Sequence, residues 1–265
     1  MISKIDNGHL FLQERQEQIM KLLKKEHKLL VPYLCEYFSV SPATIRSDLN
    51  DLESKGLLVR THGGALLNTK TGLEKNFSQK QGTYTKEKEV IAAAAAELVE
   101  DGDIIAIDTG TTTLAFAQAI TGKHNLTVVT NDIKIALLLE EQSDANVVFI
   151  GGTLRRGFHC SVGPLAINCM KNLRVDKCFM GTNGLTKEGG LSTPDINQAE
   201  VKRQMIEIGA QVIVLCDSSK IGMNSFCTVA PLNEIGIFIT DSGLDKSILD
   251  QLEQLEVTVK TCEIG

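Results

Sequence analysis

No run of 18 or more apolar residues occurs in this 265-residue chain, which argues against a membrane-spanning helix. The opening "MISKIDNGHLFLQERQEQ" also lacks the long apolar core and small-residue cleavage site of a secretory signal. Cysteine is present seven times, but the residues are scattered and no CxxC pair exists, so neither a disulfide scaffold nor a zinc site is expected. Several lie in apolar runs such as "VIVLCD" and "DKCFMG", where cysteine serves as a small core residue. A reducing, cytoplasmic setting follows as the expectation. No repeat of 20–50 residues is evident. A strongly basic footprint is missing too, since the formal net charge is −6.

What is present is average globular material: 43% hydrophobic and 23% charged residues, enough for a sizeable core. The charge is unevenly shared. Residues 1–68 hold nine Lys/Arg and eight Asp/Glu, leaving 18 against 25 for the remainder. The acidity therefore belongs to the C-terminal part. Nucleic-acid binding by the N-terminal part then depends on a few placed contacts and on more than one copy of the domain.

Hydrophobic periodicity divides the chain in three. In residues 10–67, Leu12, Ile19, Leu22 and Leu23 mark one face of a first helix. "PYLCEYF" forms a second, with Pro32 in its first turn. Ser41 caps and Pro42 opens a third, whose Ile45, Leu49 and Leu52 make a buried stripe and which Gly56 ends. "LLVRTHGGALL" alternates about Gly63-Gly64 as a hairpin wing. Residues 68–86 are polar and are expected to be a linker with partial order. From residue 87 to 265, after the alanine-rich helix "EVIAAAAAELVE", strand–loop–helix units recur. Their strands are "DIIAID", "LTVVT", "NVVFIGG", "DKCFMGTNG", "QVIVLCD", "IGIFITD" and "VTVKTC". Short β-branched runs alternating with helices predict an α/β domain with a mostly parallel sheet covered on both faces.

With the Ile45/Leu49/Leu52 stripe buried, the third helix presents Ala43, Ser47 and Asn50, flanked by Thr44 and Arg46. A helix-turn-helix places the N-terminal part of its second helix in the major groove. There Arg46 can pair with guanine or phosphate and Asn50 with adenine. Arg60 and His62 of the wing face the backbone or minor groove. Asp48, Asp51 and Glu53 fall off this face or further along the helix.

In parallel sheets, ligands sit at the carboxyl ends of the strands, and there this chain concentrates Gly, Thr, Asp, Asn and Lys. "IDTGTTT" leaves a strand and opens a helix. Gly110 permits close backbone approach, and Thr111, Thr112 and Thr113 offer N–H groups and hydroxyls to an anion. The Gly-Lys-Ser/Thr of a nucleotide-binding P-loop is absent. Thr130-Asn131, Gly151-Gly152, Gly181 to Gly184, Glu200 and Lys202 occupy equivalent loops. Lys220 in "CDSSKIG" is the best cationic partner for a phosphate, with Arg155 and Arg156 as weaker candidates.

The run "RQEQIMKLL…VPYLCEYFSVSPATIRSDLNDLESKGLLVRTHGGA", Arg15 to Ala65, resembles the N-terminal signature of the DeoR family of bacterial transcription regulators. "DTGTTT", "VVTND", "GGTLR", "MGTNG", "AEVKR" and "DSSKIG" resemble the family's C-terminal sensor, so the likeness spans nearly the whole chain. One departure stands out: after Thr-Ile the family usually has two arginines, whereas this chain has Arg46-Ser47. The resemblance implies a winged helix-turn-helix joined to a fold akin to sugar-phosphate isomerases, used to bind a phosphorylated sugar. It further implies Asp108 through Thr113, Thr130, Asn131, Glu200 and Lys220 as pocket residues, and a homodimer or homotetramer.

The expected function is a repressor of a carbohydrate-uptake or catabolic operon. It would bind a double-stranded DNA operator under control of a phosphorylated sugar, with no cofactor, metal or catalytic residue. One alternative is a sugar-phosphate isomerase-like enzyme, which needs a placed base: Glu200 can serve, whereas Asn183 cannot exchange a proton at neutral pH. Another is an adaptor whose winged helix binds protein.

Overall fold

The structure, a computed structural model, describes residues 12–26, 28–54, 57–61, 63–67, 74, 76–243 and 246–264. The chain divides into two compact units, Met1–Lys70 and Thr71–Gly265.

The first unit runs α1 (Leu12–Glu26), β1 (Lys28–Leu30), α2 (Val31–Phe38), α3 (Pro42–Ser54), β2 (Leu58–Thr61) and β3 (Gly64–Leu67). The three helices follow the spacing of their apolar residues. Ile19, Leu23, Leu34, Phe38, Ile45, Leu49 and Leu52 meet in one small core, all 4% exposed or less. Each such aliphatic side chain contributes about 1.5–3 kcal/mol by leaving water. Pro32 stands in the first turn of α2, and Ser39 closes that helix in the left-handed region (φ 54°). Ser41 Oγ then accepts from Thr44 N at 3.2 Å, capping α3. The wing is an antiparallel β2–β3 pair, to which the short β1 adds a third strand along β3. A Cβ on Gly64 would lie 2.1 Å from the Leu29 carbonyl oxygen, so β1 can pair here only because this residue is glycine.

The second unit opens with α4 (Phe77–Gln81) and α5 (Thr85–Ala96). The expected linker, 68–86, is thus partly folded into this unit, which begins at Thr71. Asn76 and Gln79 form a reciprocal capping box at α4, and Phe77 is buried. Polarity alone hid this helix, because one buried phenylalanine suffices to anchor so short an element. The chain continues through β4 (Ile104–Ile107), α6 (Thr111–Ala119), β5 (Thr127–Thr130), α7 (Ile133–Gln142) and β6 (Asn146–Phe149). Then come β7 (Thr153–Arg155), β8 (Cys160–Val162), α8 (Pro164–Met170), β9 (Val175–Gly181), β10 (Gly184–Thr186) and β11 (Gly190–Thr193). It ends with α9 (Ile196–Ile208), β12 (Gly209–Leu215), β13 (Cys227–Ala230), β14 (Ile237–Asp241), α10 (Lys246–Gln254) and β15 (Thr258–Cys262).

Seven strands form one all-parallel sheet in the order β15-β14-β12-β9-β4-β5-β6. The period-2 alternation of side chains divides the core between the two faces. Ile105, Ile107, Val128, Phe179, Ile213, Leu215 and Ile239 pack with residues of α5, α6 and α7 on one side. Ala106, Val129, Cys178, Met180, Val214 and Phe238 pack with residues of α8, α9 and α10 on the other. Ala92, Ala94 and Ala95 are buried, so the alanine run lets α5 lie close against α6. Two small antiparallel pieces, β7–β8 and β10-β11-β13, lie outside the parallel sheet; their three- and four-residue strands carry no periodic signal. Strand order reverses at β4: the chain goes outward through β5 and β6, then returns to begin the other half at β9. The crevice between β4 and β9 is the topological switch point, where open α/β sheets place ligands.

Candidate functional site

In the N-terminal unit, Ala43, Arg46, Ser47 and Asn50 are exposed on α3 and Thr44 is half-buried. Helical geometry leaves them together because Ile45, Leu49 and Leu52 turn inward. Arg60 on β2 reaches back: its Nη1 donates to Asn50 Oδ1, and its backbone N–H donates to Glu53 Oε1 at 2.8 Å. The amide oxygen of Asn50 is therefore engaged by the wing, a contact that sequence spacing did not reveal. His62 lies outside the described residues.

The acidic residues of α3 have structural partners. Asp48 is 1% exposed and accepts from Arg15 Nε at 2.6 Å and Nη2 at 3.2 Å. Asp51 accepts from Gln16 Nε2 at 2.9 Å. Both carboxylates thus fasten α3 to α1. Negative charge that weakens the argument for an anionic ligand in the sequence is spent inside the unit.

In the C-terminal unit a cavity opens at the switch point. It is lined by Thr109 to Thr113 after β4, by Gly181, Thr182 and Asn183 after β9, and by Leu215 to Asp217 and Lys220 after β12. Gln198 and Lys202 of α9, Phe158, and Glu74, Phe77 and Lys80 complete the wall. The first turn of α6 faces it without a side-chain cap among the described residues, which leaves its N–H groups available to a ligand. A Cβ on Gly110 would crowd Thr113 Oγ1 at 3.1 Å. Helix N-termini with such loops bind anions through partial positive charge.

Beneath the cavity lies a buried ion pair. Asp108 is fully buried; its Oδ2 accepts from Lys202 Nζ and, at 3.0 Å, from Gly181 N. Lys202 Nζ also donates to Gly181 O at 2.8 Å. These bonds stitch the carboxyl ends of β4 and β9 together. Burial pushes the Asp108 carboxyl upward, opposed by Lys202 and the Gly181 N–H. Thr109 Oγ1 donates to Asp132 Oδ2 at 2.6 Å, and Asp132 Oδ1 caps α7.

Cations ring the opening. Lys220 Nζ meets Asp217 Oδ2 at 3.1 Å; burial is the largest single influence and opposes its charge, but Asp217 and the neighbouring groups together hold the ammonium above its ordinary value. Lys80 Nζ donates to Glu74 Oε1 at 2.6 Å. Burial, with a smaller contribution from Lys220 and Lys202, depresses Lys80 despite Glu74. Arg155 donates to Glu74 Oε2 at 2.7 Å and Gln198 Oε1 at 2.6 Å, and stacks over Phe158. Such a concentration of ammonium groups and hydroxyls suits a phosphorylated ligand.

The residues expected from sequence divide into three groups. Gly110, Thr111, Thr112, Thr113, Lys202 and Lys220 line the cavity, and Asp108 supports it from below. Thr130 and Asn131 are buried braces: Thr130 Oγ1 donates to Ile107 O at 2.8 Å, and Asn131 Nδ2 to Ser161 O at 2.8 Å. Gly151 and Gly152 do not line it; Gly152 is needed because a Cβ would approach Val162 O to 2.8 Å. Glu200 is exposed and outside the wall. At 100° per residue Gln198 and Lys202 share one face of α9, and Glu200 points away from both. Glu74, Phe77 and Lys80 escaped notice because polar composition assigned them to a linker. The capping pair Asn76/Gln79 was the available signal.

Two family models match the chain: a DeoR-like helix-turn-helix domain over residues 15–71 and a DeoR C-terminal sensor domain over residues 83–242. The chain is 39% identical over 246 residues to the HTH-type transcriptional regulator GlpR of Haloferax volcanii, covering 93% of this chain and 96% of that one. It is 31% identical over 249 residues to the glycerol-3-phosphate regulon repressor of Escherichia coli, covering 94% and 98%. Among solved structures, ribose 5-phosphate isomerase A of Methanocaldococcus jannaschii shares 17% identity with a TM-score of 0.37, over 51% of this chain and 53% of that one. A winged helix-turn-helix with an exposed α3 face, a parallel-sheet domain with an anion-suited cavity, and similarity along nearly the full length agree: the chain belongs to the DeoR family of transcriptional regulators.

Proposed function

We propose that this protein is a DNA-binding repressor of a carbohydrate-uptake or catabolic operon, with operator affinity set by a phosphorylated sugar or polyol. The observation that carries the reading is the cavity at the β4/β9 switch point: an uncapped helix N-terminus faces Lys80, Lys202 and Lys220 within a chain that also bears a helix-turn-helix. Ala43, Thr44, Arg46, Ser47 and Asn50, with Arg60 of the wing and His62, are the operator contacts. The effector contacts are Gly110 to Thr113, Lys220 and the newly placed Lys80. A relative's name, glycerol-3-phosphate regulon repressor, adds polyol phosphates to the candidate effectors. The few cations on the α3 face favour a homodimer or homotetramer spanning operator half-sites.

The isomerase alternative is the less supported of the two readings. Glu200 lies outside the cavity, and the carboxylates that line it, Glu74 and Asp217, are both held below their ordinary values by neighbouring cations against the opposing effect of burial. A base poised near neutrality is what proton abstraction requires. The test is a gel-shift of the full chain on its own upstream DNA, titrated with phosphorylated sugars and polyols. A shifted band whose midpoint moves with one phosphate ester is expected. No specific shift with or without ligand, or turnover of a sugar phosphate, defeats the proposal.

A further inference from the structure

Three carboxylates contact the cavity's ammonium groups, and one differs in kind. Asp108 follows β4 directly and Asp217 stands two residues after β12; both are 1% exposed or less. Glu74 belongs to no helix or strand, and stands four residues beyond Lys70, where the N-terminal unit ends. Yet its side chain is only 5% exposed. It accepts from Lys80 Nζ at 2.6 Å, Arg155 Nη2 at 2.7 Å and Asn183 Nδ2 at 2.9 Å. An ammonium, a guanidinium and an amide converging on two oxygens is the donor set by which proteins hold the phosphate or carboxylate of a small molecule. Here the chain's own carboxylate occupies it.

The geometry points to Glu74 as a resident competitor: its carboxylate fills the Lys80–Arg155–Asn183 subsite, and an entering anionic effector displaces it. This rests on the reading of the cavity as the effector site. Because Glu74 stands four residues beyond Lys70, its displacement gives effector binding a covalent route to operator affinity. Asp108 and Asp217 cannot act so, because each is fixed at a strand end and buried beside its lysine. The effector binds only molecules whose Glu74 has withdrawn, so its apparent Kd is the intrinsic Kd divided by that fraction. A subsite closed in about nine molecules of ten weakens binding roughly tenfold.

The experiment is isothermal titration calorimetry of the full chain with inorganic phosphate and with glycerol 3-phosphate, with thermal unfolding establishing that each variant is folded. E74Q is expected to bind a probe roughly tenfold tighter than the unaltered protein. E74D keeps the charge but is one methylene too short for all three donors. It is expected to bind about 3- to 10-fold tighter as well, whereas a pure charge effect leaves it at the unaltered Kd. The probe concentration that half-maximally changes operator affinity falls by the same factor. Unchanged or weaker binding by E74Q, or an unaltered Kd for E74D, overturns the competitor while leaving the effector site standing, provided K220A still abolishes binding. Absence of probe binding to both the unaltered protein and E74Q removes the effector-site reading, and the competitor with it.

Discussion

Lys202→Met is expected to destabilise the C-terminal unit by about 3–5 kcal/mol, the usual consequence of leaving one partner of a buried ion pair alone. The size follows from the environment. Asp108 is fully buried, Lys202 is 2% exposed, and Asp108 Oδ1 already has no hydrogen-bond partner among the described residues. Without the ammonium the carboxylate retains backbone N–H groups only, from Gly181 and Thr109. For a unit of about 195 residues, this loss corresponds to a fall in Tm of about 6–20 °C. Asp108→Asn combined with Lys202→Met removes both charges, so the pair is expected to cost at least about 2 kcal/mol less than the sum of the single changes. Removing Lys202 also raises the Asp108 pKa further above its unfolded value. Such a group favours the folded state below the unfolded pKa and loses that contribution as pH rises, so the K202M deficit shrinks toward acid. Calorimetry is the suitable assay. The chain has no tryptophan, two of its three tyrosines (33 and 37) lie in the other unit, and separate transitions can be resolved by heat absorption. A K202M transition within about 2 °C of the unaltered one, or strictly additive costs in the double variant, refutes the reasoning.

Arg46→Ala and Asn50→Ala are each expected to lose about 1–3 kcal/mol of site-specific binding in fluorescence anisotropy on the chain's own operator; unchanged sequence preference removes the assignment. Ser47→Arg adds a cation on the same exposed face and is expected to steepen the slope of log affinity against log salt by about 1, with altered operator preference in a base-substitution panel. Thr112→Val and Lys220→Ala are expected to abolish the phosphate-ester response in a gel-shift while leaving operator binding intact; a normal response in both dissolves the pocket. Glu74 and Asp217 have folded-state pKa values below their ordinary 4.5 and 3.8. Their stabilisation is present above those unfolded values and is lost as pH falls through the folded ones. Acid unfolding of the C-terminal unit, followed by calorimetry, should therefore be less steep in E74Q.

Both domains were legible as patterns of residues. Seven β-branched or apolar runs correspond to the seven strands of the parallel sheet, because its central strands are buried over most of their length while the edge strands β6 and β15 keep β-branched residues. The α3 stripe of Ile45, Leu49 and Leu52 determined which residues of that helix face outward. The Gly-Thr-Thr-Thr loop was legible for the same reason: its chemistry is local, made by one strand end and the helix that follows. Partnerships across the chain were not. Spacing could not reveal that Asp48 is bound by Arg15, 33 residues away, or that Asn183 holds Glu74 across 109. Nor could it show that Lys202 rests on Asp108, 94 residues earlier, while Glu200 turns to solvent. Periodicity fixes which side of an element is buried; only the packing of elements decides which charges meet there. Since a buried charge is tolerated only with its partner, that pairing gives the cavity its floor, its cations and its resident carboxylate.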